Sequence, residues 1–212
     1  MNKTTRITYL AAAIISISTA AKADTDQGAY IGVGIGLYQT DLNFKATNVD
    51  FSLGDTKHDG GADVFVGYKL KFGENSAGHL GIELGYNGSY GKLSTWTVGT
   101  GTINGKLENS KEISVLPGFS FTKETSGFVR LGYAQTKATL TLGATINGVA
   151  YSQSDSQNFS GPVWGIGVDH SVSKNVGLRG EYKVADFKER SFNTVTYTPR
   201  AAGVNLALRY AF

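Results

Sequence analysis

Along most of the chain, apolar side chains recur at every second position, which is the period of a β-strand. In the first such segment Ala29, Ile31, Val33, Ile35 and Leu37 share one face, and Gly32, Gly34 and Gly36 share the other. The second sets Val64, Val66, Tyr68, Leu70 and Phe72 against Asp63, Gly67, Lys69 and Lys71. The third sets Leu80, Ile82, Leu84 and Tyr86 against Gly81, Glu83, Gly85 and Asn87. The fourth has Ile113, Val115, Pro117, Phe119 and Phe121 against Ser114, Gly118 and Ser120, and the fifth Val129, Leu131 and Tyr133 against Arg130, Gly132 and Ala134. In the sixth, Trp164, Ile166 and Val168 oppose Gly165, Gly167 and Asp169. In the seventh, Val176, Leu178, Tyr182 and Val184 oppose Gly177, Arg179, Glu181 and Lys183. The eighth has Val204, Leu206, Leu208, Tyr210 and Phe212 against Gly203, Asn205, Ala207, Arg209 and Ala211.

Short connections (73–78, 122–126, 171–175) alternate with long polar ones (near 41–59, 91–110, 136–160 and 187–199). An even number of ten-residue strands with short turns at one end and long loops at the other predicts an all-β fold, an eight-stranded antiparallel up-and-down transmembrane β-barrel. A soluble barrel with its apolar face inward is the alternative, and the glycines argue against it. Twelve positions of the non-apolar face (Gly32, Gly34, Gly36, Gly67, Gly81, Gly85, Gly118, Gly132, Gly165, Gly167, Gly177 and Gly203) carry no side chain. Gly weakens a water-facing strand, whereas a narrow eight-stranded lumen needs small residues.

Two hairpin signals reinforce the pattern. Thr102-Ile103-Asn104-Gly105 recurs as Thr145-Ile146-Asn147-Gly148, and Asn-Gly between strand-like arms marks a two-residue turn. A turn at Asn147-Gly148 places Val129 opposite Ile166 and Leu131 opposite Trp164, so the fifth and sixth strands are expected to run on as one tall hairpin. The arms around Asn104-Gly105 are unequal, which requires a bulge or an irregular stretch.

The N-terminus reads as an export signal. Lys3 and Arg6 precede an apolar run from Ile7 to Ala20, and Ala21-Lys22-Ala23 fits the small-x-small cleavage pattern. The run is shorter than the ~20 residues of a spanning helix. The expected division is therefore a cleavable signal over 1–23 and a barrel over 24–212. Three of the 20 basic residues lie in the signal, so the remainder carries 17 against 17 acidic, and nucleic-acid binding is not indicated. Cysteine is absent, so a disulfide framework and a thiolate metal site are excluded. The mildly negative mean hydropathy is compatible with a barrel, whose strands average polar and apolar faces.

The last strand carries a resemblance. Val204, Leu206, Leu208, Tyr210 and the final Phe212 look like the C-terminal assembly signal of outer-membrane β-barrel proteins, in which a terminal aromatic ends an alternating strand. The whole pattern from 24 to 212 is similar to the small eight-stranded barrels: the OmpA-like transmembrane domain, the OmpX and Ail group, and the opacity-type porin-like proteins. The resemblance implies residence in the cell outer membrane of a Gram-negative bacterium. It implies lipid and lipopolysaccharide as surroundings, the barrel-assembly machinery as a biogenesis partner, and a host or extracellular surface ligand for the loops. It does not extend to a periplasmic peptidoglycan-binding domain. No cofactor is expected, and a monomer is.

The candidate chemistry is sparse. Asp63, Lys69, Lys71, Glu83, Arg130, Asp169, Arg179, Glu181, Lys183 and Arg209 share the inner face. Both signs in one enclosed space predict a paired network, since unpaired buried charge is costly. A fixed polar core is the expectation, and a gate of switchable ion pairs in a narrow pore is the alternative. Tyr68, Phe72, Phe119, Phe121, Tyr133, Trp164 and Tyr182 face outward and are expected at the lipid interface, with Tyr210 and Phe212. Gly32-x-Gly34-x-Gly36 lacks the dinucleotide-loop spacing. His58, His79 and His170 are too scattered for a metal site. Some eight-stranded barrels modify lipid A with His and Ser near the outer leaflet, but His170-Ser171 abuts a short turn at the opposite end, and His58 beside Asp59, with Ser52 nearby, shows no nucleophile–base spacing. An enzyme is therefore not expected. Function is expected in the long loops, which include Phe44, Phe51, Trp96 and Tyr151.

Overall fold

The computed structural model describes residues 27–46, 49–73, 77–88, 91–98, 101–146, 149–192 and 195–212. The expected export signal over 1–23 and the expected turn at Asn147-Gly148 lie outside these. The strands are β1 (Gly28–Ala46), β2 (Val49–Phe72), β3 (Gly78–Asn87), β4 (Gly91–Val98), β5 (Gly101–Ser120), β6 (Thr125–Ile146), β7 (Val149–Ser171), β8 (Val176–Asp186), β9 (Arg190–Phe192) and β10 (Val195–Ala211). Each pairs antiparallel with its neighbour, in the order β1-β2-β3-β5-β6-β7-β8-β10, and β10 returns to β1. The closing ladder runs from Tyr30–Ala211 to Ala46–Val195. The result is an eight-stranded up-and-down barrel. The short strands β4 and β9 pair only with β5 and β10 and belong to the part above the closed wall.

Alternation explains the wall. Ile31, Val33, Ile35 and Leu37 point out and are exposed, while Tyr30, Gly32, Gly36 and Tyr38 between them are buried. The same parity holds in β3, β5, β6 and β10. A closed ladder satisfies the backbone internally, which lipid requires. Two assignments need correction. Val184 shares the outer parity but is fully buried, in register between Trp164 and Ala202. Ala29, placed with the outward residues, is buried at the strand end, where its carbonyl accepts the Phe212 amide at 3.1 Å.

The short turns are built by hydroxyl side chains. Thr122 Oγ1 accepts the amides of Glu124 and Thr125 at 3.2 and 3.0 Å, and Ser173 Oγ accepts that of Val176 at 3.2 Å. After β2, Gly73 adopts φ +85°, which only Gly takes without strain.

Most of the described residues of the four long connections lie in strands. β1 and β2 stay in register up to Lys45–Ser52, and β6 and β7 up to Ile146–Val149. From Tyr133 to Ile146 the β6–β7 ladder climbs 13 residues, about 43 Å along the strand. Its register is the one the Asn147-Gly148 turn predicts, with Val129 opposite Ile166 and Leu131 opposite Trp164. The other Asn-Gly pair does not turn: Asn104 sits inside β5 opposite Thr95 and Thr141, and Val98 pairs with Gly101 instead. The expected irregularity is present as register shifts at Lys92/Thr95 and Leu107/Ser110.

Candidate functional site: the filled lumen and the strands above it

Ten lumen positions were predicted to be charged. Asp63, Lys69, Glu83, Arg130, Asp169, Arg179, Glu181, Lys183 and Arg209 are buried, and Lys71 is half-buried near the turn end of β2. Two arginines organise them. Arg130 on β6 donates to Glu83 at 2.6 Å, to Glu112 at 2.8 Å and, through Nε, to Glu181. Arg179 on β8 donates to the other Glu83 oxygen at 2.6 Å and clamps Asp169 through two bonds of 2.7 and 3.1 Å. Glu83 thus bridges both guanidinium groups and also accepts the Tyr30 hydroxyl at 3.0 Å. Glu112 is held further by Ser114 Oγ at 2.5 Å and by Lys183 at 3.6 Å. Charge-assisted, forked bonds of this kind are the strong ones, and they offset the desolvation of each ion.

Glu112 was absent from the predicted network. It continues the parity of Ser114, inside β5 and one residue before the apolar alternation begins at Ile113. The inward aromatics were missed as well. Tyr30, Phe65 and Phe128 lie below the network, with the Arg179 guanidinium 4.8 Å from the Phe65 ring centre and 4.7 Å from that of Phe128. That distance is within cation–π range. Above the network, Tyr38, Leu107, Ala134, Ala138, Phe159, Val163, Ala185, Phe187 and Ala201 form one apolar cluster. Phe187 reaches it because β8 bends after Ala185: the Asp186–Phe187 backbone crosses Gly161, and the Lys188 amide bonds to the Ser160 carbonyl at 3.0 Å. Between the apolar layers, a cavity of about 10 Å³ remains beside Glu83, Glu112, Arg130 and Lys183, enough for about one water.

The outer face carries the other predicted residues. Val204, Leu206, Leu208, Tyr210 and Phe212 are all exposed on one face of β10. Phe72, Phe119, Phe121, Tyr133, Trp164 and Tyr182 are exposed too, and Tyr68 is half-buried. Tyr210 and Phe212 pack edge to face at 5.3 Å. Of the histidines, His79 is buried on the inner face, His58 is exposed on β2, and His170 Nδ1 lies 3.0 Å from Thr125 Oγ1 at the turn end. His58, Asp59 and Ser52 belong to a strand and not to a loop. Among the described residues no group of His, Cys, Asp and Glu could hold a metal ion. Phe44, Phe51, Trp96 and Tyr151 fall on β1, β2, β4 and β7, with Tyr151 exposed.

A closed antiparallel barrel with an apolar outer face, exposed aromatics on that face and a packed polar interior is the architecture of an integral outer-membrane β-barrel. The chain belongs to the outer membrane protein β-barrel domain family, whose model matches residues 8–212, and the protein resides in the outer membrane. Among solved structures it is similar to the outer membrane protease OmpT of Escherichia coli, at 9% identity and a TM-score of 0.55, covering 92% of this chain and 100% of that one. It is also similar to Neisserial surface protein A (14%, TM-score 0.49, 88% and 100%) and to Ail, the attachment invasion locus protein of Yersinia pestis (14%, TM-score 0.42, 85% and 99%). These likenesses concern the fold alone. No curated protein sequence matches the chain.

Proposed function

We propose that this protein is a non-conducting, non-catalytic surface-interaction barrel, in which the membrane part anchors a crown of β-ribbons that binds a host or extracellular surface. The carrying observation is the contrast between the two halves. The lumen is packed from the Tyr30–Phe65 layer through the arginine network to the Tyr38–Phe187 layer, while β6 and β7 extend about 43 Å beyond Tyr133. A pore needs a continuous aqueous path, and a projecting ribbon in which β5 also pairs with β6 up to Gly101–Ala144 is a scaffold for recognition.

The crown also has an open edge. β7 pairs with β8 only up to Val163–Ala185, and above it the Lys188 amide bonds to the Ser160 carbonyl, with no further ladder to the β8 side among the described residues. From Val149 to Ser160 this edge has no Lys, no Pro and no register shift, the usual devices that discourage strand addition. An extended partner segment could add there by main-chain bonds.

The test uses the full chain displayed on a Gram-negative host. Replacing Leu140–Asp155 by a two-residue turn, which keeps Thr139 opposite Ser156, is expected to abolish adherence to epithelial or matrix-coated surfaces while heat-modifiable migration is kept. Unchanged adherence of that variant, or single-channel conductance by the purified parent, overturns the reading.

A further inference from the structure

The Ser160 carbonyl accepts the Lys188 amide from the β8 side, so the backbone groups of Ser160 point away from β6. Along an antiparallel ladder the even positions Ser152, Ser154, Ser156 and Asn158 point the same way. Their amides and carbonyls form the open edge of β7. Behind it the β6 ladder runs unbroken to Ile146–Val149, and β5 pairs with β6 up to Gly101–Ala144. Tyr151, Ser152, Gln153, Ser154, Ser156 and Asn158 are all exposed. The stretch is therefore sheet on one side and a template for another strand on the other.

The sequence of this edge reads nearly the same in both directions. About position 155, Ser154 mirrors Ser156, Gln153 mirrors Gln157, Ser152 mirrors Asn158 and Tyr151 mirrors Phe159. A contact between identical surfaces sets residue i against j and j against i. For two strand edges that arrangement is an antiparallel ladder, and centred on 155 it faces each residue with its own kind. Backbone direction permits this register. Partners at hydrogen-bonding positions must both turn to the shared edge, and the pairs 152–158 and 154–156 are all even. Gln153 meets Gln157, and a carboxamide both donates and accepts. Tyr151, 58% exposed, comes beside Phe159, and cross-strand aromatic pairs stabilise a ladder. Each of the four even pairs exchanges two main-chain bonds, about eight in all. At one bond per 100–200 Å² this corresponds to roughly 800–1,600 Å², the size of a specific interface. The single charge of the stretch, Asp155, falls on the two-fold axis. One opposed pair of like charges weakens such a ladder without outweighing it.

We propose that the β7 edge pairs with the β7 edge of a second copy of this chain, carried by a facing membrane. The direction follows from the ladder. Two antiparallel β7 strands run towards opposite ends of the shared sheet, so the two barrels lie at those opposite ends and not in one bilayer. Position 155 stands 162 − 155 = 7 residues above Pro162, the partner of Tyr133, or about 24 Å along the strand. The two walls are then roughly 50 Å apart. This inference rests on the reading of the crown as a recognition surface, and it names one partner of its edge: the same crown on another cell.

The test uses the full barrel reconstituted into phosphatidylcholine vesicles, each variant shown folded by heat-modifiable migration. Parent vesicles are expected to cluster, seen as a rise in light scattering. Ser152→Pro, which takes an amide from the edge, is expected to lower clustering at least tenfold. Asp155→Asn, which removes the one charge of the stretch, is expected to raise it several-fold. The chain has no cysteine, so single cysteines report the register. Vesicles with Gln153→Cys mixed with vesicles with Gln157→Cys are expected to yield an oxidised dimer at least tenfold above either population alone. Within one population the two cysteines stand four positions apart, beyond disulfide reach. Equal dimer yield from mixed and separate populations overturns the pairing, as does clustering of Ser152→Pro vesicles at the parent level. If a cysteine variant fails to assemble, the proline and asparagine variants still decide. The two readings fail separately. Dispersed parent vesicles alongside cells that adhere to matrix overturn the pairing alone. Clustering vesicles alongside adherence that survives removal of the crown uphold the pairing and overturn the host-surface reading alone.

Discussion

The Phe65 ring lies across Gly32, its register partner on β1, and a Cβ built on Gly32 would fall closer than 3.0 Å to three of the ring carbons. The same arrangement recurs with Tyr38 over Gly36 and Gly203, Tyr30 over Gly67, and Phe128 over Gly167. These lumen glycines are thus seats for aromatic rings, from neighbouring strands or, at Gly36, from the same one, and the rings of Tyr30, Phe65 and Phe128 in turn support Arg179. Gly32→Val is expected to overpack the lumen and destabilise the barrel by about 1–3 kcal/mol in urea titrations. Combining it with Phe65→Ala is expected to cost less than the sum of the two single changes, because the clash disappears with the ring. Strict additivity would show that Gly32 is not a seat.

Arg130 compensates three buried carboxylates, and Arg200 only the half-exposed Asp186 at 3.0 Å. Arg130→Met strands charge in a closed lumen and is expected to lower stability by about 3–5 kcal/mol. Arg200→Met should cost under ~1 kcal/mol, and that small effect should vanish in 1 M salt while the larger one persists. A salt-sensitive Arg130 effect would mean that water reaches the network.

How much of this was legible depended on solvent. Within the membrane the two faces of a strand differ sharply, so alternation from Ile31 to Leu37 or from Val204 to Phe212 exposed both strand and parity. Above the membrane both faces meet water. The run Ser152-Gln153-Ser154 has no hydropathy period, and it reads as loop although it sits in an unbroken ladder. Only the turn at Asn147-Gly148 carried that register. Inward aromatics were hidden for another reason: Phe65 and Phe128 are the same residue type as the outward-facing Phe72, and parity alone distinguishes them.

The β6–β7 register makes a covalent prediction. Thr139 Oγ1 and Ser156 Oγ are 2.9 Å apart, as are the hydroxyls of Thr141 and Ser154. Directly opposed positions with side chains on one face have the spacing a disulfide needs. The chain has no cysteine, so Thr139→Cys with Ser156→Cys is expected to form one bond on oxidation, seen as faster migration of the unreduced protein. Thr139→Cys with Ser154→Cys, one pair out of register, should remain reduced. The opposite outcome would show that the ribbon has slipped by two residues.

Backbone direction on β7 supports a final experiment. The Ser160 carbonyl accepts the Lys188 amide from the β8 side, so Ser160 turns its backbone groups away from β6. In an antiparallel ladder this direction alternates, and Ser152 shares it while Gln153 faces β6. Proline at 152 therefore removes an amide from the open edge, and proline at 153 removes one from the ladder. Gln153→Pro is expected to loosen the ribbon, raising protease cleavage between Leu140 and Gln153 and lowering the yield of the Thr139–Ser156 cross-link. Ser152→Pro should leave both as in the parent. If partners add as a strand along this edge, Ser152→Pro also abolishes adherence with the ribbon intact, a separation that no loss of side-chain contact would produce, since Ser152→Ala would retain binding. Equal protease sensitivity of the two proline variants would show that the edge is already paired.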